Sequence, residues 1–159
     1  MDHLYSNRNA YFKRDRSAMC AFCEAQMKED GFGNLIVHRR EHCFVIMNLF
    51  PYNSGHMMVV TNEHTDMFSE LPAEHMAEIT SLIQKAIKVL TKAYCPQGFN
   101  VGVNLGEAGG AGIRDHLHWH VIPRWLGDAN FITVVGRTRV LPESLEESYQ
   151  KIVETWNSE

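Results

Sequence analysis

His116-Leu117-His118-Trp119-His120-Val121-Ile122 alternates imidazole with apolar side chains. A period of two is the repeat of a β-strand, whose successive residues face opposite sides of a sheet. The spacing therefore predicts one strand with three imidazoles on one face and Leu117, Trp119 and Val121 on the other, the apolar face resting on a core. Imidazole is a poor filler for either a core-facing or a water-facing position, so three of them in register point to chemistry rather than packing.

Two chemistries want this spacing. A His-x-His pair supplies two ligands of a catalytic zinc, which then needs a third protein ligand and an open position for water. Alternatively, a neutral imidazole attacks phosphorus, its second ring nitrogen held by a carbonyl so that the attacking nitrogen carries the lone pair. The residues before the strand favour the second. Gly102-Val103-Asn104-Leu105-Gly106-Glu107-Ala108-Gly109-Gly110-Ala111-Gly112 closes one strand and enters a glycine-dense loop that runs straight into the histidines. Such loops let backbone N–H groups approach an anion closely. Phosphate beside an attacking histidine suggests phosphoryl or nucleotidyl transfer.

Working outward, residues 34–39, 42–48 and 55–61 alternate or run apolar between turn residues and read as antiparallel strands. Leu71-Pro72 opens a helix in which Met76, Ile79, Ile83, Ile87, Leu90 and Tyr94 recur at three- and four-residue steps up to Pro96. Strands over 99–105 and 117–123 follow. Trp125 to Phe131 reads as an ordered loop, and Pro142 begins a final helix with Leu145, Tyr149, Ile152 and Val153 on one side. The expected fold is α+β: an antiparallel sheet of about five strands, one long helix and a carboxy-terminal helix.

At 159 residues the chain is one domain long. No apolar run approaches the roughly 20 residues of a membrane helix. The net charge of −4 argues against a nucleic-acid polymer as partner, since such proteins carry a basic footprint. Arg114, Arg124, Arg137 and Arg139 lie close enough in sequence to the histidines to serve a short polyphosphate.

The histidine strand, together with Phe44-Val45-Ile46-Met47-Asn48, Pro51-Tyr52-Asn53-Ser54-Gly55-His56 and Met57-Met58-Val59-Val60, resembles the histidine triad (HIT) superfamily over nearly the whole chain. Gly110-Ala111-Gly112 before the triad and His120-Val121-Ile122-Pro123-Arg124-Trp125 after it are similar to the branch of diadenosine polyphosphate hydrolases and phosphorylases. The resemblance implies that His118 is the nucleophile that attacks an α-phosphorus and forms a covalent nucleotidyl-histidine, with His120 contacting the phosphate and helping the leaving group depart. It implies that Asn48 binds ribose hydroxyls, that His56 supports the triad by hydrogen bonding and that Asn104 lies near the phosphates. Many triad proteins place Gln-Ser or Gln-Thr just ahead of the strand; this chain has Gly110-Ala111-Gly112-Ile113, so phosphate binding is expected to fall on the backbone amides of Gly110, Ala111 and Gly112. Whether water or inorganic phosphate receives the nucleotidyl group stays open. Nucleoside phosphoramidate hydrolysis and non-catalytic nucleotide binding are the alternative readings.

Cys20-Ala21-Phe22-Cys23 is the second motif. With four cysteines (Cys20, Cys23, Cys43, Cys95) and no secretory pattern, the chain is expected to be cytoplasmic, where a CxxC is a metal or redox pair rather than a structural disulfide. A thioredoxin-like pair would need a strand leading into the motif at a helix start, which the flanking sequence lacks. The resemblance extends here too: relatives such as hexose-1-phosphate uridylyltransferases hold zinc between a CxxC, a histidine after the central strand and the first triad histidine. It implies that Cys20, Cys23, His64 and His116 hold a structural Zn2+, with Mg2+ accompanying the substrate phosphates. It also implies a homodimer paired through the sheet and long helix. The domain is expected to span 1–159, with an amino-terminal zinc-binding segment over 1–33 and a carboxy-terminal extension over 124–159 that shapes the leaving-group pocket or covers the sheet. His3, His38, His42 and His75 are expected to have no chemical role, His75 facing solvent, and Cys43 and Cys95 to be packed thiols.

Overall fold

The computed structural model describes residues 19–138 and 140–159; His3, Arg139 and residues 1–18 of the amino-terminal segment lie outside the described residues. Five strands form one sheet: β1 (Ile36–Arg39), β2 (Cys43–Met47), β3 (Met57–Thr61), β4 (Gly98–Val103) and β5 (His118–Arg124). Their order is β1-β2-β3-β5-β4, and every neighbouring pair is antiparallel. The α+β class and five-stranded sheet expected from sequence are thus present.

β1, β2, β3 and β5 begin one or two residues later than expected, and β4 one residue earlier, at Gly98. Leu35 sits at φ 61, in a turn braced by the Asn34 carboxamide, which accepts from the Ile36 amide and donates to the Ala25 carbonyl. Gly55 sits at φ 74, and a Cβ there would lie 2.9 Å from both Leu90 and Tyr94, so glycine is required on two counts. Pro123 is tolerated inside β5 because the β3 pairing stops at Met57 opposite Val121, leaving only β4 as its neighbour there.

Among the described residues there are four α-helices: α1 (Ala21–Gln26), α2 (Ala73–Tyr94), α3 (Phe131–Val135) and α4 (Leu145–Asn157). α2 packs across β2, β3 and β5. Its fully covered line is Ile79, Leu82, Ala86, Val89 and Leu90, so Ile79 and Leu90 of the expected stripe lie on the contact while Met76, Ile83, Ile87 and Tyr94 flank it, half-buried. α4 starts at Leu145 rather than Pro142 because Ser144 and Glu147 form a reciprocal capping box, a device worth about 1 kcal/mol. It covers α2 and the β1 edge, burying Ile152 and Trp156, and the Tyr149 hydroxyl donates to the Ile36 carbonyl at 2.9 Å. Of α4, Leu145 alone reaches the cavity described below.

α1 and α3 were not anticipated. At six and five residues they are too short for a helical period to register. Two smaller expectations are also corrected. His75 is half-buried and stacks on His42 with ring centroids 4.0 Å apart, and Cys95 is exposed because it caps α2 in the left-handed region, beyond the packed face. Among the described residues no helix is long and apolar enough to cross a membrane.

Candidate active site and metal centre

Pairing with β3 decides where the histidines face. Val60 lies opposite His118 and Met58 opposite His120, so these four share a face with Ile46, the partner of Met58 on β2. That face lines a cavity of about 800 Å³. Val59 lies opposite Trp119 and Met57 opposite Val121, all of them buried in the core under α2. The alternation read from sequence is realised for His118 and His120, whereas His116 precedes β5 and turns to the cysteines; all three are buried, at 1%, 4% and 8% exposure.

The hydrogen bonds fix the tautomer of each ring. His118 Nδ1 lies 2.8 Å from the His116 carbonyl, which only accepts, so Nδ1 carries the proton and Nε2 keeps its lone pair. His56 Nδ1 receives the Tyr52 amide at 3.1 Å and the Asn48 carboxamide at 3.4 Å; it must be the bare nitrogen, and Nε2 the protonated one. His56 Nε2 donates to His120 Nδ1 at 2.9 Å, which leaves the His120 proton on Nε2. That Nε2–H is buried and has no partner among the described residues. A buried donor without an acceptor costs about 1–3 kcal/mol, and a ligand oxygen would relieve it. The site thus offers a nucleophilic nitrogen on His118 and a hydrogen-bond donor on His120, two residues along the same strand, with ring centroids 5.0 Å apart.

Burial keeps these rings uncharged. It pulls His118 below the ordinary imidazole value, against the opposing hydrogen bond to His116. Burial, reinforced by the facing His118, takes His120 down to about 4. His56, deeper still, is held well below the ordinary value by burial first and then by His120 and His118. All three are neutral at pH 7, the form the tautomer chain requires.

The other sequence-selected residues fall into place unevenly. Asn48 lines the cavity, with its oxygen accepting from the Phe50 amide at 2.9 Å. His56 stands behind His120 and is fully buried. Asn104 does not line the cavity; its carboxamide donates to the Gly110 carbonyl and braces the loop. Gly110, Ala111 and Gly112 line the wall, but two of the three amides expected to face an anion are used within the loop, Gly110 on the Glu107 carbonyl and Ala111 on the Gly106 carbonyl. Of the four arginines, Arg114 lines the cavity, paired with Glu107 at 2.6 Å. Arg124 is turned to Asp128 and Asn100, and Arg137 does not reach the cavity. Sequence reasoning missed Phe22, which forms the wall against the triad with ring centroids 5.3 Å from His116 and 5.1 Å from His118, and Tyr52, whose amide sets the tautomer chain. The apolar middle position of the CxxC was the only signal for Phe22.

The second constellation abuts the first. Cys20, Cys23, His64 and His116 bring one ligand atom each to within 4.8 Å of one another. Cys20 Sγ lies 3.4 Å and Cys23 Sγ 3.7 Å from His116 Nδ1, and Cys23 Sγ 3.3 Å from His64 Nδ1. A tetrahedral ion with bonds of about 2.3 Å to sulfur and 2.0–2.1 Å to nitrogen separates sulfur from nitrogen by about 3.5 Å, so the donors are already spaced for one. His116 Nε2 donates to the Thr61 carbonyl at 2.7 Å, leaving Nδ1 bare toward the cysteines, the arrangement that orients a metal-binding imidazole. Burial first and the neighbouring Cys20 next push the Cys23 thiol up, a penalty a cation offsets. His118 and His120 join no metal-ligating cluster among the described residues, which separates the triad's chemistry from the metal's. Cys20 caps α1, and the residues that lead into the motif lie outside the described ones.

The sheet, the histidine strand and the imidazole pair facing the cavity define a histidine triad protein. The HIT domain model matches residues 32–125, and the chain belongs to that family. It is 39% identical over 148 residues, 91% of this chain and 75% of the relative, to an AP-4-A phosphorylase of Mycobacterium tuberculosis. Over 78 residues, 49% of this chain and 55% of the relative, it is 35% identical to the adenosine 5'-monophosphoramidase hnt1 of Schizosaccharomyces pombe. Among solved structures, a zinc-bound histidine triad family protein from Mycobacterium smegmatis superposes with a TM-score of 0.69 at 24% identity, covering 87% of this chain and 94% of that one.

Proposed function

We propose that this chain is a nucleotide hydrolase or nucleotidyltransferase that cleaves dinucleoside polyphosphates at an α-phosphate. The observation that carries the proposal is the tautomer pair: a bare Nε2 on His118 and, among the described residues, an unpartnered Nε2–H on His120, the two residues lining one cavity. His118 Nε2 forms the bond to phosphorus, the P–O bond to the leaving nucleotide breaks, and His120 donates to the oxygen that gains charge. The His116 carbonyl stabilises the positive charge that His118 acquires in the nucleotidyl-imidazolium intermediate, since it accepts from Nδ1–H throughout. The relative that shares most of the chain supports a diadenosine polyphosphate as substrate. The apolar wall of Phe22, Ala25, Leu35 and Ile46 suits a nucleobase, and Asn48 suits the ribose that follows it; Mg2+ enters with the substrate phosphates.

The experiment is product analysis with diadenosine tetraphosphate, comparing the unaltered protein with His118→Asn. AMP plus ATP, or ADP plus ATP when phosphate is supplied, with nothing formed by the variant, is the expected result; the absence of product from the unaltered protein sinks the reading. The monophosphoramidase similarity supports phosphoramidates as the second substrate class to try.

The Cys₂His₂ donor set suits Zn2+. Its four protein ligands would make it structural, tying Cys20 and Cys23 on α1 to His116 on the approach to β5 and to His64 beyond β3. The whole of 1–159 is taken as one domain, with 1–33 as the metal-binding segment. A homodimer is the expected assembly, and the exposed β4 edge, with Asn100, Val101 and Gly102 open, suits strand-to-strand pairing; sedimentation at a monomer mass would reject it.

A further inference from the structure

The loop that meets the triad brings a cation to the cavity where the sequence has no polar side chain to hold an anion. Gly110, Ala111, Gly112 and Ile113 offer none, and two of their amides are bound within the loop. The next residue, Arg114, lines the same cavity as His118 and His120. Among the described residues the other lysine or arginine in that wall is Lys28, held by Glu24 at 2.8 Å.

Arg114 is held by Glu107, whose side chain is 72% exposed. A pair so open to solvent contributes little and is readily exchanged, and a guanidinium presents a planar fork that binds phosphate oxygens in pairs. Glu107 and Arg114 bracket the glycine loop from its two ends, so the fork stands at the loop's junction with the triad strand, where an anion can compete for it.

Water and phosphate place different demands on such a site. A nucleotidyl group on His118 carries negative charge on its phosphoryl oxygens. Water approaches it without Coulombic cost, whereas inorganic phosphate is repelled unless a cation stands beside its path. We infer that Arg114 forms the binding site for inorganic phosphate as acceptor of the nucleotidyl group, which makes the chain a phosphorylase. This rests on the α-phosphate cleavage proposed above. A phosphate oxygen attacks the α-phosphorus, the P–N bond to His118 Nε2 breaks, its electron pair returns to the ring, and the nucleotidyl group leaves as a nucleoside diphosphate. Glu107 keeps the fork oriented and gives way to the incoming anion.

The test is the partition of products from diadenosine tetraphosphate across a series of inorganic phosphate concentrations, for the unaltered protein, Arg114→Gln and Arg114→Lys, with thermal unfolding of each as the folding control. The unaltered protein is expected to shift from AMP to ADP as phosphate rises. Arg114→Gln is expected to lower the ADP:AMP ratio at a fixed phosphate concentration by about tenfold or more, and Arg114→Lys to restore part of it. A structural defect would slow both products and leave their ratio unchanged. An unaltered protein that forms AMP at every phosphate concentration, or an Arg114→Gln ratio equal to that of the unaltered protein, overturns the acceptor site and leaves the cleavage reading standing. No nucleotide product at all overturns both.

Discussion

Mild acid should weaken this fold through His120, and the amount follows from its burial. Burial first and the facing His118 next bring its folded pKa from 6.5 to about 4. Above 6.5 neither state binds a proton at this site. Between 6.5 and about 4 the unfolded chain binds one and the native ring does not, so stability is complete above the upper value and is lost as pH falls toward the lower one. Each pH unit inside that window costs about 1.4 kcal/mol, which makes the loss at about pH 5 roughly 2 kcal/mol. Urea titrations at about pH 7, 6 and 5 measure it, a range that stays above the carboxylates whose ordinary pKa lies near 4. The control is His120→Gln, whose amide oxygen still accepts from His56. The unaltered protein should lose about 2 kcal/mol more than the variant over this range; the metal-site residues are common to both proteins and drop out of the difference, and His56, lowered less once His120 is gone, shifts it in the same direction. Equal losses would refute the assignment of a depressed, neutral His120.

Three further outcomes are expected. His118→Asn should lower kcat/KM by at least about 10³ while the unfolding temperature holds, because the nucleophile is lost and the ring's volume largely kept; steady-state assays with diadenosine tetraphosphate check it, and substantial residual turnover would transfer the attack to another group. Cys23→Ser should reduce metal content from about one zinc per chain to a small fraction of that and lower the unfolding temperature by several degrees, as elemental analysis and calorimetry would show; full zinc occupancy in the variant would remove Cys23 from the ligand set. Gly55→Ala should destabilise by about 1–3 kcal/mol, since the residue combines φ 74 with a Cβ position 2.9 Å from Leu90 and Tyr94; denaturant titration decides, and unchanged stability would rule out that turn geometry.

What the sequence made legible was whatever depends on period and spacing. β5 is announced by alternation, α2 by recurring apolar steps, and the metal cluster by a CxxC with two histidines in known contexts. What it hid depends on backbone groups and on short elements. Nothing in Tyr52 says that its amide, rather than its ring, orients His56, and the glycines of the loop give no sign that Gly110 and Ala111 turn their amides inward on Glu107 and Gly106. α1 is one and a half turns long, so its role as a cavity wall was invisible although both its cysteines were read. Arg114, Arg124, Arg137 and Arg139 looked equivalent in sequence; ion pairs with Glu107 and Asp128 set the first two apart.

The register of β5 against β3 carries a consequence for how this chain tolerates change. Orientation of the imidazoles is a matter of parity: His118 and His120 reach the cavity because Val60 and Met58 stand opposite them, and sliding β5 by one residue would send both rings into the core and bring Trp119 out. The slide is opposed by everything Leu117, Trp119 and Val121 bury. The stretch from Asn104 to Asp115 has no part in that count, so residues can be gained or lost there without reversing the strand. A family built this way can vary the length and chemistry of the loop that meets the substrate while the reacting nitrogen keeps its aim.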